Sequence, residues 1–303
     1  MRIRIQNENS FLFQSHNKIS ASMATQFGEP DIYGQVHPIE SPELIECRLK
    51  ELDEALSSLA STPKGAAYTQ ALTNCPSLLD RSFKLLFLRA RKFDARQAAE
   101  RILRYWEHRI DIFEDDRAFM PLTLKGALRE DSATISKGVI CPTGCQDSDG
   151  REIVFFDPSR QDREAYTRKS LARVMWYALH TALESESAQQ KGVVFVNYAK
   201  EVSLSQVDRG LVKLVAPTIS GSLPIRLAAM HVCYPPSFFA IIFPIISFFL
   251  GPKIRKRVQL HAANVLEELA AVGLPSESLP TQVGGELELN LDRWIETRMA
   301  IEG

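Results

Sequence analysis

The chain has 303 residues, enough for one large or two modest domains, and its 45% hydrophobic and 24% charged residues are the balance of an ordinary globular protein with a sizeable core. A net charge of -1 excludes a general nucleic-acid binder, which would be basic overall. The five cysteines, at 47, 75, 141, 145 and 233, are odd in number and scattered, which excludes a disulfide framework and points to a reducing compartment.

Residues 1–40 are polar, rich in Ser, Asn and Gln, and lack the apolar core of a secretory signal, so they read as a disordered N-terminal tail. Helical signals begin at Ser41-Pro42-Glu43, a cap followed by an N1 proline and an acidic first turn. Leu44, Leu49, Leu52, Leu56 and Leu59 then recur near helical spacing. A second helix is predicted from about Asp80 to Arg91, with Phe83, Leu86, Phe87 and Ala90 on its apolar face. A third starts at Asp94, with Gln97 placed to close a capping box, and carries Ala98, Ile102, Tyr105 and Trp106 towards Arg109. Residues 41–113 therefore read as a small all-helical unit.

After a connecting region, Val139 to Cys141 and Glu152 to Phe156 read as two strands joined at the hairpin dipeptide Asp149-Gly150. Cys145 and Arg151 have the bare spacing of a cysteine phosphatase loop, but Asp147 and Asp149 inside it would repel a phosphate, and a strand follows where a helix N-terminus is needed. Asp147 and Asp149 lack the later ligands of a calcium loop, and Cys141 with Cys145 lacks the second pair of a zinc site. No catalytic or metal set assembles from these residues.

Asp162 to Glu186 is predicted as a long helix, with Tyr166, Leu171, Val174, Trp176 and Leu179 apolar and His180 a structural histidine. Gly192 to Asn197 is a compact apolar strand and Val207 to Ile219 the next helix. Strand and helix in alternation imply parallel pairing.

Leu223 to His261 organises the rest. A β-type run from Ile225 to Cys233 passes through Pro235-Pro236 into a segment that is apolar on every side from Phe238 to Leu250. A membrane-spanning helix needs about 20 apolar residues, and this run is shorter and contains Pro244. It reads as a buried core helix, or as a lid whose face of Phe238, Phe239, Ile242, Phe243, Ile246 and Phe249 covers a lipid. Directly after Gly251-Pro252 comes KIRKR. On a continuing helix, Ile254 and Val258 would anchor one face while Lys253 and Arg257 project side by side, with Arg255 and Lys256 keeping the area cationic. Each basic residue near an anionic membrane contributes about 1 kcal/mol of attraction. A merely solvated basic helix is the other reading.

These segments resemble a known family. FLRARKFD at Phe87 to Asp94, followed by a helix ending in Trp106-Glu107-His108-Arg109, is similar to the N-terminal helical module of the CRAL-TRIO lipid-binding family. Asp147, Gly150 and Arg151 meet its D-x-x-G-R pattern, and Leu279-Pro280 with Gly284-Gly285 its L-P-x-x-x-G-G ending. Leu223 to His261 resembles the family's closing strand, gate helix and following basic helix, in the branch of α-tocopherol transfer and retinaldehyde-binding proteins. The resemblance implies an α/β fold. A helical module at 41–113 would precede a lipid-binding domain at 121–286, whose largely parallel sheet floors an apolar pocket closed by a gate helix from Ser237 to Leu250, and a C-terminal helix would occupy 287–303.

The function it implies is that of a cytoplasmic, monomeric, non-enzymatic lipid carrier without cofactor or metal, transiently at membranes. Its expected partners are a small hydrophobic lipid (tocopherol-like, retinoid or phospholipid) and a membrane containing phosphatidylinositol bisphosphate. Matched residue by residue, Arg226 holds the first basic position on the closing strand, and Lys253 and Arg257 hold two after the gate. The second strand position is Ala228, and a gate lysine is Ser247. The family's Asp-x-x-Gly after the central strand reads Asn197-Tyr198-Ala199-Lys200. The alternative is a non-transferring signalling or scaffold protein with an occluded pocket.

Overall fold

The structure, a computed structural model, describes residues 25–303, with the side chains of Asp115, Ser247, Phe249, Leu250 and Lys253 outside the description. Cap chemistry sets the first helices. Ser41 accepts the Leu44 N–H ahead of α1 (Pro42–Ala60), and α2 (Ala66–Asn74) follows, which the sequence reading had not anticipated. Asp80 caps α3 (Arg81–Ala90) and Asp94 caps α4 (Ala95–Arg117), the latter broken at Glu114, where φ is 66°. Between α3 and α4 the chain turns through Lys92 (φ 54°) and Phe93 (φ 63°), and the buried Phe93 side chain anchors this left-handed turn in the core. Phe83, Phe87, Tyr105 and Trp106 pack edge-on or tilted against one another, and Tyr105 also meets Trp176 at 5.0 Å, so one core runs on into the segment that follows.

A short helix, α5 (Ser132–Ile135), precedes the sheet. The hairpin β1 (Ile140–Gln146) and β2 (Glu152–Phe156) pairs antiparallel, Ile140 opposite Phe156. β2 pairs in parallel with β3 (Val193–Tyr198), β3 with β4 (Leu227–Cys233), and β4 with a short edge strand, β5 (Val258–His261), giving the order β1-β2-β3-β4-β5. This is the expected α/β architecture with a largely parallel sheet. The connections are α6 (Arg168–Ala182) with α7 (Glu186–Lys191), then α8 (Arg209–Gly221), then α9 (Phe239–Arg255). α6 begins later than the predicted Asp162 because Asp162 turns the chain, taking the N–H groups of Glu164 and Ala165, and Thr167 supplies the helix cap at Ser170.

α6, α8 and α9 lie over one face of the sheet, while Val265 and Leu269 of α10 (Val265–Ala271) cover the other with Leu274, Leu279 and Val283. α11 (Leu291–Glu302) is docked by Arg298, which reaches Glu184 at 2.7 Å and the Tyr177 hydroxyl at 3.0 Å. Of the expected N-terminal tail, residues 1–24 lie outside the described residues. Residues 25–40 fold back as a hairpin, with Phe27 bridged to Pro38, and rest against β4. Among the described residues, no helix is long and apolar enough to cross a membrane; α9 has 17 residues.

Candidate functional site

A cavity of about 210 Å³ lies between the sheet and its helical cover. Alternation along the strands places Phe195 and Asn197 of β3 and Met230 and Val232 of β4 at its floor, beside Phe156. Leu211, Val215 and Ile219, four apart on α8, form one wall, and Met175 of α6 contributes to it. The remaining wall is Phe238 with Phe239, Ile242, Phe243 and Ile246 of α9, in which Phe239 and Phe243 stack at 5.4 Å. Five of the six lid residues named from the sequence therefore line one cavity, and the Phe249 side chain lies outside the description. The opposite face of α9 is open to solvent, with Ile241 74% and Phe248 76% exposed. The floor and the α8 wall were not singled out as pocket residues from the sequence; their signals were the period of two in β3 and β4 and the period of four in α8.

Polar groups at the cavity are few. Asn197 donates to the His231 carbonyl at 3.0 Å. Asp208, the one ionisable residue among the described lining, caps α8 at Gly210 and Leu211 and pairs with Arg168 at 2.8 Å. Burial pushes its carboxyl up, but these donors outweigh it and hold the group below the usual carboxylate range. Gln206 donates to the Ser159 carbonyl. The lining can enclose an apolar body and offers it almost no charge. Lys200, where the family has glycine, lies over the Tyr234 ring at 5.6 Å.

The basic residues are arranged differently from the helical expectation. α9 ends at Arg255, with Arg255 and Lys256 exposed at its C-terminus, so no separate basic helix forms. Val258 belongs to β5, where it pairs with Met230, and the predicted pairing of Ile254 with Val258 on one helix face does not occur. Arg257 sits in the connection: its carbonyl accepts the Met230 N–H at 2.9 Å and its guanidinium donates to the Leu227 carbonyl. The Lys253 side chain is outside the description. Arg226 is 7% exposed, donates to His37 Nδ1 at 2.6 Å, and leaves Nε and one terminal nitrogen with no hydrogen-bond partner. Burial pushes its pKa down to about 10. Lys92 of the helical module completes the group: its ammonium is held below its ordinary range by burial, then by Arg226 and Arg257.

The other motifs resolve as structure. Arg151 is buried and pairs with Asp147 at 2.7 Å and Asp149 at 2.8 Å, so the spacing that imitates a phosphatase loop is a hairpin turn whose arginine is taken up by its own carboxylates. His180 meets Tyr105 Oη at 3.3 Å, and burial, with Arg109 nearby, pushes its pKa down to about 3. A second histidine system was not foreseen. Tyr33 Oη, His231 Nε2, His231 Nδ1, His261 Nε2, His261 Nδ1 and Glu268 Oε2 form a chain with contacts of 3.0, 2.9 and 2.6 Å.

Residues 136–285 match the CRAL/TRIO domain. The chain is 31% identical over 233 residues to the alpha-tocopherol transfer protein-like protein of Homo sapiens, an alignment covering 76% of this chain and 66% of that protein. It is 28% identical over 227 residues to clavesin-2 of Rattus norvegicus, covering 72% of this chain and 66% of the relative. The chain thus spans just under two thirds of the length of these relatives. The solved structure of Sfh5 superposes with a TM-score of 0.53 at 12% identity, over 84% of this chain and 98% of that one, a likeness of fold.

Proposed function

The chain belongs to the CRAL/TRIO domain family, and from that premise we propose that it is a non-enzymatic lipid-binding and transfer protein whose gate is α9. The observation that carries this reading is the two-sidedness of α9. Its inner residues line an apolar cavity, while Ile241 and Phe248 face water and Arg255 and Lys256 are exposed at its C-terminal end. Enclosing a lipid tail gains about 0.8 kcal/mol for each CH₂ removed from water, so a carrier must surround its cargo almost completely. At a bilayer both faces of α9 find apolar surroundings, and opening costs far less there than in water. The cations at its C-terminus favour an anionic surface, and Arg226, Lys253 and Arg257 are the residues proposed to meet a phosphoinositide headgroup.

Native mass spectrometry of the purified protein, with extraction and identification of bound lipid before and after mixing with phosphatidylinositol bisphosphate vesicles, tests this. A stoichiometric lipid that leaves on mixing supports the carrier; a protein that is empty and takes up no lipid overturns it. A second reading, an occluded scaffold, is favoured by one observation: about 210 Å³ falls below the roughly 300–1,000 Å³ of ordinary ligand pockets. On the carrier reading, α9 moves outward to admit cargo.

A further inference from the structure

Residues 26–39 close on themselves. Ile39 N–H donates to the Gln26 carbonyl, Gly28 N–H to that of His37 and Asp31 N–H to that of Gln35, each at 2.9 Å. The tip is organised by Asp31, whose Oδ1 accepts the N–H groups of Tyr33 and Gln35 at 2.9 and 2.7 Å. This hairpin lies where the sheet edge is incomplete. β5 pairs with β4 from Met230 onward, so Leu227 and Ala228 have no strand on that side. Arg257 and Gln35 fill in, the latter donating to the Ala228 carbonyl at 2.9 Å.

The hairpin also brings an anion to the basic group. Asp31 Oδ2 takes a donor from Arg151 at 2.5 Å and contacts His37 Nε2 at 2.8 Å. Arg226 can only donate, so His37 Nδ1 accepts from it at 2.6 Å and Nε2–H goes to Asp31, and the Gln190 carbonyl, 3.2 Å from the same Nδ1, receives no proton from it. Arg226 therefore meets a neutral imidazole rather than the carboxylate, and two of its nitrogens remain buried and unmet. A guanidinium fork in that condition is poorly matched by its cover and well matched by the oxygens of a phosphate. The cover is held by polar contacts and by Tyr33, which packs under the Arg151 guanidinium, more than by its other apolar side chains: Phe27, Ile32 and Ile39 are 46%, 53% and 55% exposed, so loss of the Asp31 contacts would leave little apolar burial to keep it closed.

We propose that residues 26–39 are an autoinhibitory strap: Asp31 and His37 occupy the place of a membrane phosphate over Arg226, Arg257 and Lys92, and the strap must lift before these residues hold a phosphoinositide headgroup. This rests on the membrane reading given under the proposed function. Arg226, at 7% exposure, cannot touch a headgroup while the strap is down.

The test uses the full chain and phosphatidylcholine vesicles with and without phosphatidylinositol bisphosphate. Asp31→Asn leaves Arg151 paired with Asp147 and Asp149, and it is expected to tighten binding to the phosphoinositide vesicles about tenfold. Hydrogen exchange at Gly28, Asp31 and Ile39 is expected to accelerate in the wild type when those vesicles are added and not with phosphatidylcholine alone. If Asp31→Asn fails to fold, the double variant Tyr33→Phe, Gln35→Ala loosens the same strap and carries the same expectation. Unchanged affinity and unchanged exchange, with binding still abolished by Arg226→Met, would overturn the strap and leave the membrane reading standing. No vesicle binding by any variant would overturn both.

Discussion

The guanidinium of Arg226 on the sheet side reaches His37 Nδ1 at 2.6 Å, joining residues 189 apart in sequence while two other nitrogens of the same side chain stay unpaired. Replacing such a group separates stability from function. A buried charge with incomplete partners adds little to folding, and a well-packed apolar substitute is often neutral or stabilising. Arg226→Met is expected to keep the melting temperature within a few degrees of wild type, as read by calorimetry, and to abolish sedimentation with phosphoinositide vesicles. A fall of ten degrees or more would mean that the arginine is structural.

Ala216 lines the cavity and is 3% exposed. Ala216→Trp places an indole in a space of about 210 Å³ and should exclude cargo, at an overpacking cost of about 1–3 kcal/mol. Lipid extracted from the purified variant should drop below a tenth of the wild-type amount. Full lipid content in the variant would place the cargo elsewhere.

Ile241 and Phe248 are exposed on α9, so charging them should change stability by no more than about 0.5 kcal/mol. In a fluorescence assay of lipid delivery to anionic vesicles, Ile241→Asp with Phe248→Asp should slow transfer at least tenfold while leaving the amount of bound lipid unchanged. Equal rates would remove the outer face of α9 from membrane contact.

Glu152 begins β2, is 6% exposed, and accepts only the Gly144 N–H, at 3.0 Å; burial pushes its carboxyl up to about 7. In the unfolded chain it ionises near 4.5, so its contribution is fully present below that pH and is lost as pH rises through 7. Glu152→Gln keeps the acceptor and removes the charge. Chemical unfolding should show the variant more stable at pH 8, by on the order of 2 kcal/mol, and indistinguishable at pH 4. A variant no more stable at pH 8 would show that the carboxylate is already well solvated.

Glu268 Oε2 accepts from His261 Nδ1–H at 2.6 Å, and the contacts of His261 Nε2 with His231 Nδ1 at 2.9 Å and of His231 Nε2 with Tyr33 Oη at 3.0 Å continue the line. Nitrogen NMR should find His231 neutral at pH 5, because burial and then His261 push its pKa down to about 3. A group lowered from 6.5 binds its proton in the unfolded chain first, so it withdraws stability as pH falls from 6.5 towards 3. A protonated His231 at pH 5 would show that water reaches this site.

Much of this was legible in the sequence because it is local. Ser41, Asp80 and Asp94 cap their helices through residues three positions on, and the inner face of α9 follows from spacings of three and four. β5 was not legible: four residues directly after a helix carry too little periodicity to separate a strand from more helix, and it is the pairing with Met230 to Cys233 that decides. The hairpin at residues 25–40 was hidden for the same reason on a longer scale. Its partners, Arg151 and His231, stand 120 and 198 residues away from Asp31 and Tyr33. Arg226 was expected on the closing strand and stands one residue ahead of it, and its contact with His37 of the hairpin joins positions 189 apart.

The two ends of the α9 excursion are fastened to each other: Tyr234 N–H donates to the His261 carbonyl at 2.8 Å, and Met230 N–H to that of Arg257 at 2.9 Å. A swing of α9 is therefore the motion of a loop already closed at its neck, and the register of β4 with β5 survives it. Its clock is then that of collective lid motion, microseconds to milliseconds, rather than that of refolding an edge strand.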